Sequence, residues 1–263
     1  MSFTNIEVSA LGARATITLN RPDKLNALST ETLSELVDAA NLLDEHSEEV
    51  KFVVLSGNGR AFSAGADVSI FSGDDAGAAR RAAADAGRQM VEAIESMRAI
   101  TIARIHGHCI GGAVLLAAAC DLRVAADTTR FSIPELQLGI PLGWGGIPRL
   151  VREIGPAMTK ELVLTCRPFS ATEARELGLV NRVVAAQHLS ETVEELAGQL
   201  AERSTLTLAA TKLGVNAASA AMCATSGAWS DADALLTALG DPESRRVAEN
   251  YLEQLGRRAA GGG

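Results

Sequence analysis

The sequence predicts an α/β core followed by a helical C-terminal part, and three observations carry that expectation. Two nearly continuous apolar runs, Val50 to Ser56 and Ile100 to Ile105, have the make-up of strands covered on both faces. Segments with apolar residues at helical spacing lie between and after them, so strands alternate with helices. From Ser190 onward the chain is helical in pattern or rich in helix formers. These features divide it into residues 1–200, the core, and 201–263, a helical region.

Near the N-terminus, Ala13, Ala15, Ile17 and Leu19 alternate with Arg14, Thr16, Thr18 and Asn20, the period of a half-buried strand that Arg21-Pro22-Asp23 then ends. Ser29 offers an N-cap to a helix carrying Leu33, Leu36, Val37, Ala40 and Leu43 through Asp44. After the first apolar run come the turn Gly57-Asn58-Gly59, the small-residue segment Ala61 to Val68 and a Gly/Asp/Ala loop near Gly73 to Ala79. A helix with Met90, Ile94 and Met97 on one face follows. Beyond the second run, Gly111 to Cys120 reads as a buried helix starting near Gly112, and Leu122 to Ala125 as a short strand. Phe131 to Gly146 is a Pro/Gly-rich stretch, Ser170-Ala171-Thr172-Glu173 has the form of a capping box, and Val180 to Val184 is one more strand.

Composition narrows the function. With 24 Lys and Arg against 32 Asp and Glu the net charge is −8, which argues against a nucleic-acid binder that works by displacing counterions. The longest apolar run, Ile110 to Cys120, is about half of the roughly 20 residues that cross a bilayer, and no export signal is read at the N-terminus, so a cytoplasmic protein without membrane partners is expected. Cys109, Cys120, Cys166 and Cys223 lack zinc-site spacing and read as reduced, mostly buried thiols; no metal is expected.

Two glycine-bearing segments could carry chemistry. In Ala61-Phe62-Ser63-Ala64-Gly65-Ala66-Asp67-Val68 the backbone can approach a ligand and present bare N–H groups. Gly107-His108-Cys109-Ile110-Gly111-Gly112-Ala113 leads into the apolar helix, where unpaired N–H groups and the positive end of the helix dipole would meet a developing negative charge. Either motif in isolation is more often a tight turn or a close packing contact. His106 and His108 beside the second loop could act as bases, but a satisfied polar role is the better reading.

Together and in this order the two segments resemble the oxyanion loops of the enoyl-CoA hydratase/isomerase (crotonase) family. The likeness extends through Leu19-Asn20-Arg21-Pro22, Leu25-Asn26-Ala27-Leu28, Cys120 to Ala125, Phe131 to Glu135, Leu138 to Pro141, Ala171 to Val183 and Thr211-Lys212. It implies a crotonase fold of repeated ββα turns forming two roughly perpendicular sheets, with C-terminal helices that build a homo-trimer or a hexamer of paired trimers. It also implies an acyl-CoA thioester substrate, CoA being part of that substrate and no separate cofactor being needed. The N–H groups of Ala66 and Gly112 would form the oxyanion hole, with Lys24, Leu25, Ala27 and Ala64 lining the CoA site and Ala66, Asp67 and Val68 of the first loop also binding the substrate.

Within that resemblance Glu135 matches one catalytic glutamate, while the position of a second holds Leu115, which can neither hold water nor carry a proton. A single carboxyl in an apolar pocket resembles the arrangement of enoyl-CoA isomerases, so β,γ to α,β isomerisation is preferred. Hydration is the alternative, with Asp74 or Asp75 as a substitute acid, and a non-catalytic acyl-CoA binder is a third reading. Gly143 stands where dienoyl-CoA isomerases and aryl-CoA dehalogenases carry aspartate, which disfavours both. Trp144 is expected to wall the acyl pocket or anchor the core.

Overall fold

The computed structural model describes residues 2–45, 49–67 and 78–261. An antiparallel pair opens it, β1 (Ile6–Leu11) with β2 (Arg14–Leu19), followed by α1 (Thr30–Glu45) and β3 (Phe52–Gly57). Next come α2 (Ala78–Ser96), β4 (Ile100–Ile105), β5 (His108–Ile110), α3 (Gly112–Ala119), β6 (Leu122–Ala126) and β7 (Arg130–Ser132). After a 3-10 turn over Glu135–Leu138 the order is α4 (Gly146–Thr165), β8 (Phe169–Ser170), α5 (Ala171–Glu176) and β9 (Arg182–Val184). Four helices close the chain: α6 (Leu189–Ala201), α7 (Thr205–Met222), α8 (Asp231–Gly240) and α9 (Pro242–Gly261).

Strands β1-β2-β3-β4-β6-β9 form one sheet, parallel from β2 onward, and β5-β7-β8 a second. Alternation decides β2, whose Ala15, Ile17 and Leu19 are buried while Arg14, Thr16 and Thr18 are not. In β3 the side chains of both faces are covered. Val53 and Leu55 join the main core with Ile17, Leu36 and Met90, and Phe52 and Val54 join a smaller one under α6 with Ile102 and Val193. That double burial explains the uninterrupted apolar run.

The helix after Gly111 is apolar all round because every residue of α3 is buried. Ser29 caps α1 by accepting from Thr32 N–H at 3.2 Å. At α5 only half of the capping box forms: Ser170 Oγ accepts from Glu173 N–H, while the Glu173 carboxylate pairs instead with Arg167 at 2.6 Å. No helix among the described residues is long and apolar enough to cross a membrane.

Candidate active site

The first loop is held by a set of polar bonds around Asn26. Leu25 and Asn26 are both left-handed, at φ 51° and 56°, an unusual state for non-glycine residues that needs external support. Asn26 supplies it: its Oδ1 accepts from Arg21 N–H at 2.9 Å, and its Nδ2 donates to Asn58 O at 2.9 Å and Ala61 O at 2.8 Å. Ser63 Oγ donates to Asn26 O at 2.8 Å, and Asp67 forms an ion pair with Arg21 at 3.0 Å. The turn 24–27 is thereby locked against the strand-end loop, and Ala64 N–H donates to Leu25 O at 2.9 Å.

The second loop meets the first at Gly65. A Cβ there would stand 2.3 Å from Ile110 O and 3.3 Å from Gly112 N, and φ is +85°, so glycine is required both by conformation and by contact. Ser63 and Cys109 are joined in a parallel bridge, with Ile110 N–H donating to Ser63 O at 3.2 Å. This close approach places Ala66, which follows Gly65, and Gly112, the first residue of α3, in the wall of one cavity. The N–H of neither has an acceptor among the described residues. Two such donors, one of them at a helix N-terminus, are suited to an oxygen that gains negative charge.

Glu135 reaches the same point from the 3-10 turn. Its Oε1 lies 2.6 Å from where a Cβ on Gly111 would stand, and Gly111 adopts φ 53°, ψ −122°, a glycine-only conformation. Oε2 is shut off from solvent and has no hydrogen-bond partner among the described residues. Burial pushes the carboxyl up from 4.5 to about 7, opposed only weakly by its own backbone N–H. Such a group can take and return a proton near neutral pH.

A cavity of about 70 Å³ adjoins these groups, lined by Ala64, Ala66, Gly112, Leu115, Glu135 and Trp144 among others. Leu115, 1% exposed, fills the position across from Glu135's loop with apolar surface. Trp144 is left-handed at φ 60°, and its indole lies against the bare α-carbons of both Gly87 and Gly112, where a Cβ would meet ring atoms at 1.8 and 2.3 Å. It therefore walls the cavity and also locks α2 to the start of α3. Arg149, buried and paired with Glu95, holds the turn by donating to Gly145 O at 3.1 Å.

Lys24, Leu25, Ala27 and Asp67 are not in the cavity wall; they form the adjoining turn, with Lys24 exposed at its edge. Val68, Asp74 and Asp75 lie outside the described residues. His106 Nε2 donates to Gly59 O, 3.0 Å away, and His108 is exposed. No cluster of three His, Cys, Asp or Glu able to hold a metal occurs among the described residues. Gly87, Arg149 and Asp231, the last also in the cavity wall, belong to no motif read from sequence, while Asn26 lies in the Leu25-Asn26-Ala27-Leu28 segment that was.

With that geometry, residues 12–257 match the model of the enoyl-CoA hydratase/isomerase family. The chain belongs to this family. Relatives include a crotonyl-CoA hydratase of Syntrophomonas wolfei, 36% identical over 217 residues (82% of this chain, 83% of that one). A short-chain-enoyl-CoA hydratase of Clostridium acetobutylicum is 34% identical over 217 residues (82% of each). Among solved structures, an enoyl-CoA hydratase/isomerase from Xanthobacter autotrophicus Py2 superposes with a TM-score of 0.87 at 30% identity, over 98% of this chain and 96% of that one. Membership accounts for the two sheets and the paired glycine loops, and makes the chain a crotonase-superfamily enzyme, hydratase or isomerase.

Proposed function

We propose that the enzyme acts on enoyl-CoA thioesters by forming an enolate whose oxygen is held by Ala66 N–H and Gly112 N–H, with Glu135 moving the proton. The observation that carries this is the unpartnered, buried Glu135 carboxyl set against Gly111, beside two N–H groups without acceptors. Donors aimed at a forming oxyanion are each worth about 3 to 4 kcal/mol of transition-state stabilisation. Ala64 and the turn Lys24-Leu25-Asn26-Ala27 would receive the CoA portion, with the Lys24 ammonium near its phosphates, and Leu115 and Trp144 would contact the acyl chain. CoA enters as part of the substrate.

For the reaction itself, Leu115 favours isomerisation from β,γ to α,β. The same carboxyl can remove the α proton as a base and, as the resulting acid, deliver it to the γ carbon, so one titrating group near neutrality suffices. A second reading, hydration of the α,β double bond, is supported by the names of the relatives, which are hydratases. Paired assays on β,γ- and α,β-enoyl-CoA decide between them. Isomerisation requires double-bond migration without 3-hydroxyacyl-CoA, whereas accumulation of the hydroxy product assigns hydration.

Assembly as a homo-trimer, or a hexamer of two trimers, is part of the same proposal. It rests on α7, which leaves Leu206, Leu213, Val215 and Met222 exposed at 58% or more, an apolar area that a lone chain would not stably present.

A further inference from the structure

Asp231, the first residue of α8, puts a second carboxyl in the wall of the cavity that Glu135 lines. Its placement is built from two sides. Arg81 of α2 grips α8, donating to both oxygens of Asp233 at 2.9 and 3.2 Å and to Trp229 O at 3.0 Å. From the other side, Gly145 N–H donates to Asp231 Oδ2 at 2.8 Å. Asp231 Cβ lies 3.6 Å from the point where a Cβ on Gly143 would stand, an ordinary packing distance that sets the side chain directly beside the Gly143–Gly145 turn.

The surroundings are otherwise apolar: Ala84, Leu138, Ile140, Leu142 and Leu235 line the same region. Asp231 Oδ1 has no hydrogen-bond partner among the described residues. The nearby cations are engaged elsewhere, Arg88 with Asp85 and Glu92 and Arg149 with Glu95. Burial accordingly pushes the Asp231 carboxyl above its usual value, against the Gly145 hydrogen bond that lowers it.

A plain alkyl chain filling the cavity to this point would strip water from an oxygen that has no other partner, an unfavourable exchange for a carboxylate. A hydroxyl on the chain would keep that oxygen paired through a charge-assisted hydrogen bond. We infer that Asp231 determines acyl specificity, and that the preferred substrates are acyl-CoA thioesters bearing a hydroxyl on the part of the chain that reaches the Gly143–Gly145 turn. This rests on reading the cavity as the acyl site.

Binding of saturated acyl-CoA thioesters, which cannot react, tests the inference apart from the reaction. Calorimetric titration would compare medium-chain thioesters with and without a terminal or near-terminal hydroxyl, on the intact protein and on Asp231→Leu and Asp231→Asn. The expected result is that at least one hydroxylated thioester binds roughly tenfold or more tightly than its parent. Asp231→Leu should reverse that preference. Asp231→Asn keeps an acceptor for Gly145 N–H, and so the turn, and should weaken the preference while still binding the parent. Equal or tighter binding of every parent by the unaltered protein, or a preference unchanged in Asp231→Leu, overturns the inference. Hydroxyl-selective binding by a protein that turns over no enoyl-CoA in the paired assays would sink the proposed reaction and leave Asp231's role standing; failure of every CoA thioester to bind would remove both.

Discussion

Replacing Glu135 with glutamine should change how stability depends on pH, by an amount that follows from the burial of one carboxyl. In the folded chain this group binds its proton up to about pH 7, against 4.5 when freely solvated. Between those values the folded state holds a proton that the unfolded state has released, so stability falls as pH rises through the window and is level on either side. At about 1.4 kcal/mol for each tenfold in proton affinity, the full loss is about 3 kcal/mol. Glutamine cannot ionise. The stability of Glu135→Gln relative to the unaltered protein should therefore rise by about 3 kcal/mol between pH 4.5 and pH 8, whatever the constant offset from the amide itself. Urea unfolding at a series of pH values measures this difference directly. A difference that stays flat across the window would refute the claim that Glu135 is buried without a charge partner.

Other substitutions probe the site's construction. Gly65→Ala puts a methyl 2.3 Å from Ile110 O at φ +85°; it should separate the two loops and cut turnover of enoyl-CoA by roughly a hundredfold, seen in kcat more than in KM. Trp144→Ala empties the contact with Gly87 and Gly112 and should cost about 3 kcal/mol in unfolding free energy while broadening acyl-chain acceptance. Leu115→Glu adds a carboxyl at a position 1% exposed; hydration of α,β-enoyl-CoA should appear or increase, with a stability loss of about 2 kcal/mol or more at neutral pH. Lys212→Met removes the partner of Asp121, 2.7 Å away and mostly buried, and should destabilise by about 3 kcal/mol, measured by denaturant unfolding.

The sequence was most legible where one physical demand acts on many consecutive residues. Both-sided burial makes β3 a nearly continuous apolar run and β4 mostly apolar apart from Thr101 and Arg104, one-sided burial makes β2 alternate, and complete burial makes α3 apolar throughout. The second sheet is different. Its strands β5, β7 and β8 are only three, three and two residues long, too short to develop a period, and the two-sheet expectation came from family resemblance. In the site, Glu135, Gly112 and Ala66 stood out because their motifs did. Trp144 was readable as a wall or core residue and Asn26 as part of a motif, but the contacts of Trp144 with Gly87 and Gly112, like the long-range bonds of Asn26 and Arg149, have no local signature in sequence. Asp231 looks in sequence like an ordinary acidic residue opening a helix. Only the fold, by bringing α8 against the Gly143–Gly145 turn, makes it part of the cavity. The half-formed capping box at Ser170 shows the opposite case, a motif read correctly as a helix start whose glutamate is claimed by Arg167.

The most direct measurement is turnover of a β,γ-enoyl-CoA in deuterated water by the unaltered enzyme and by Glu135→Gln. The account predicts that the enzyme yields the α,β isomer, and that Glu135→Gln still binds the thioester but loses both isomerisation and exchange at the α carbon, by roughly a thousandfold or more. Isomerisation or α-proton exchange that persists in Glu135→Gln would contradict it, placing the proton-transfer group elsewhere in the cavity.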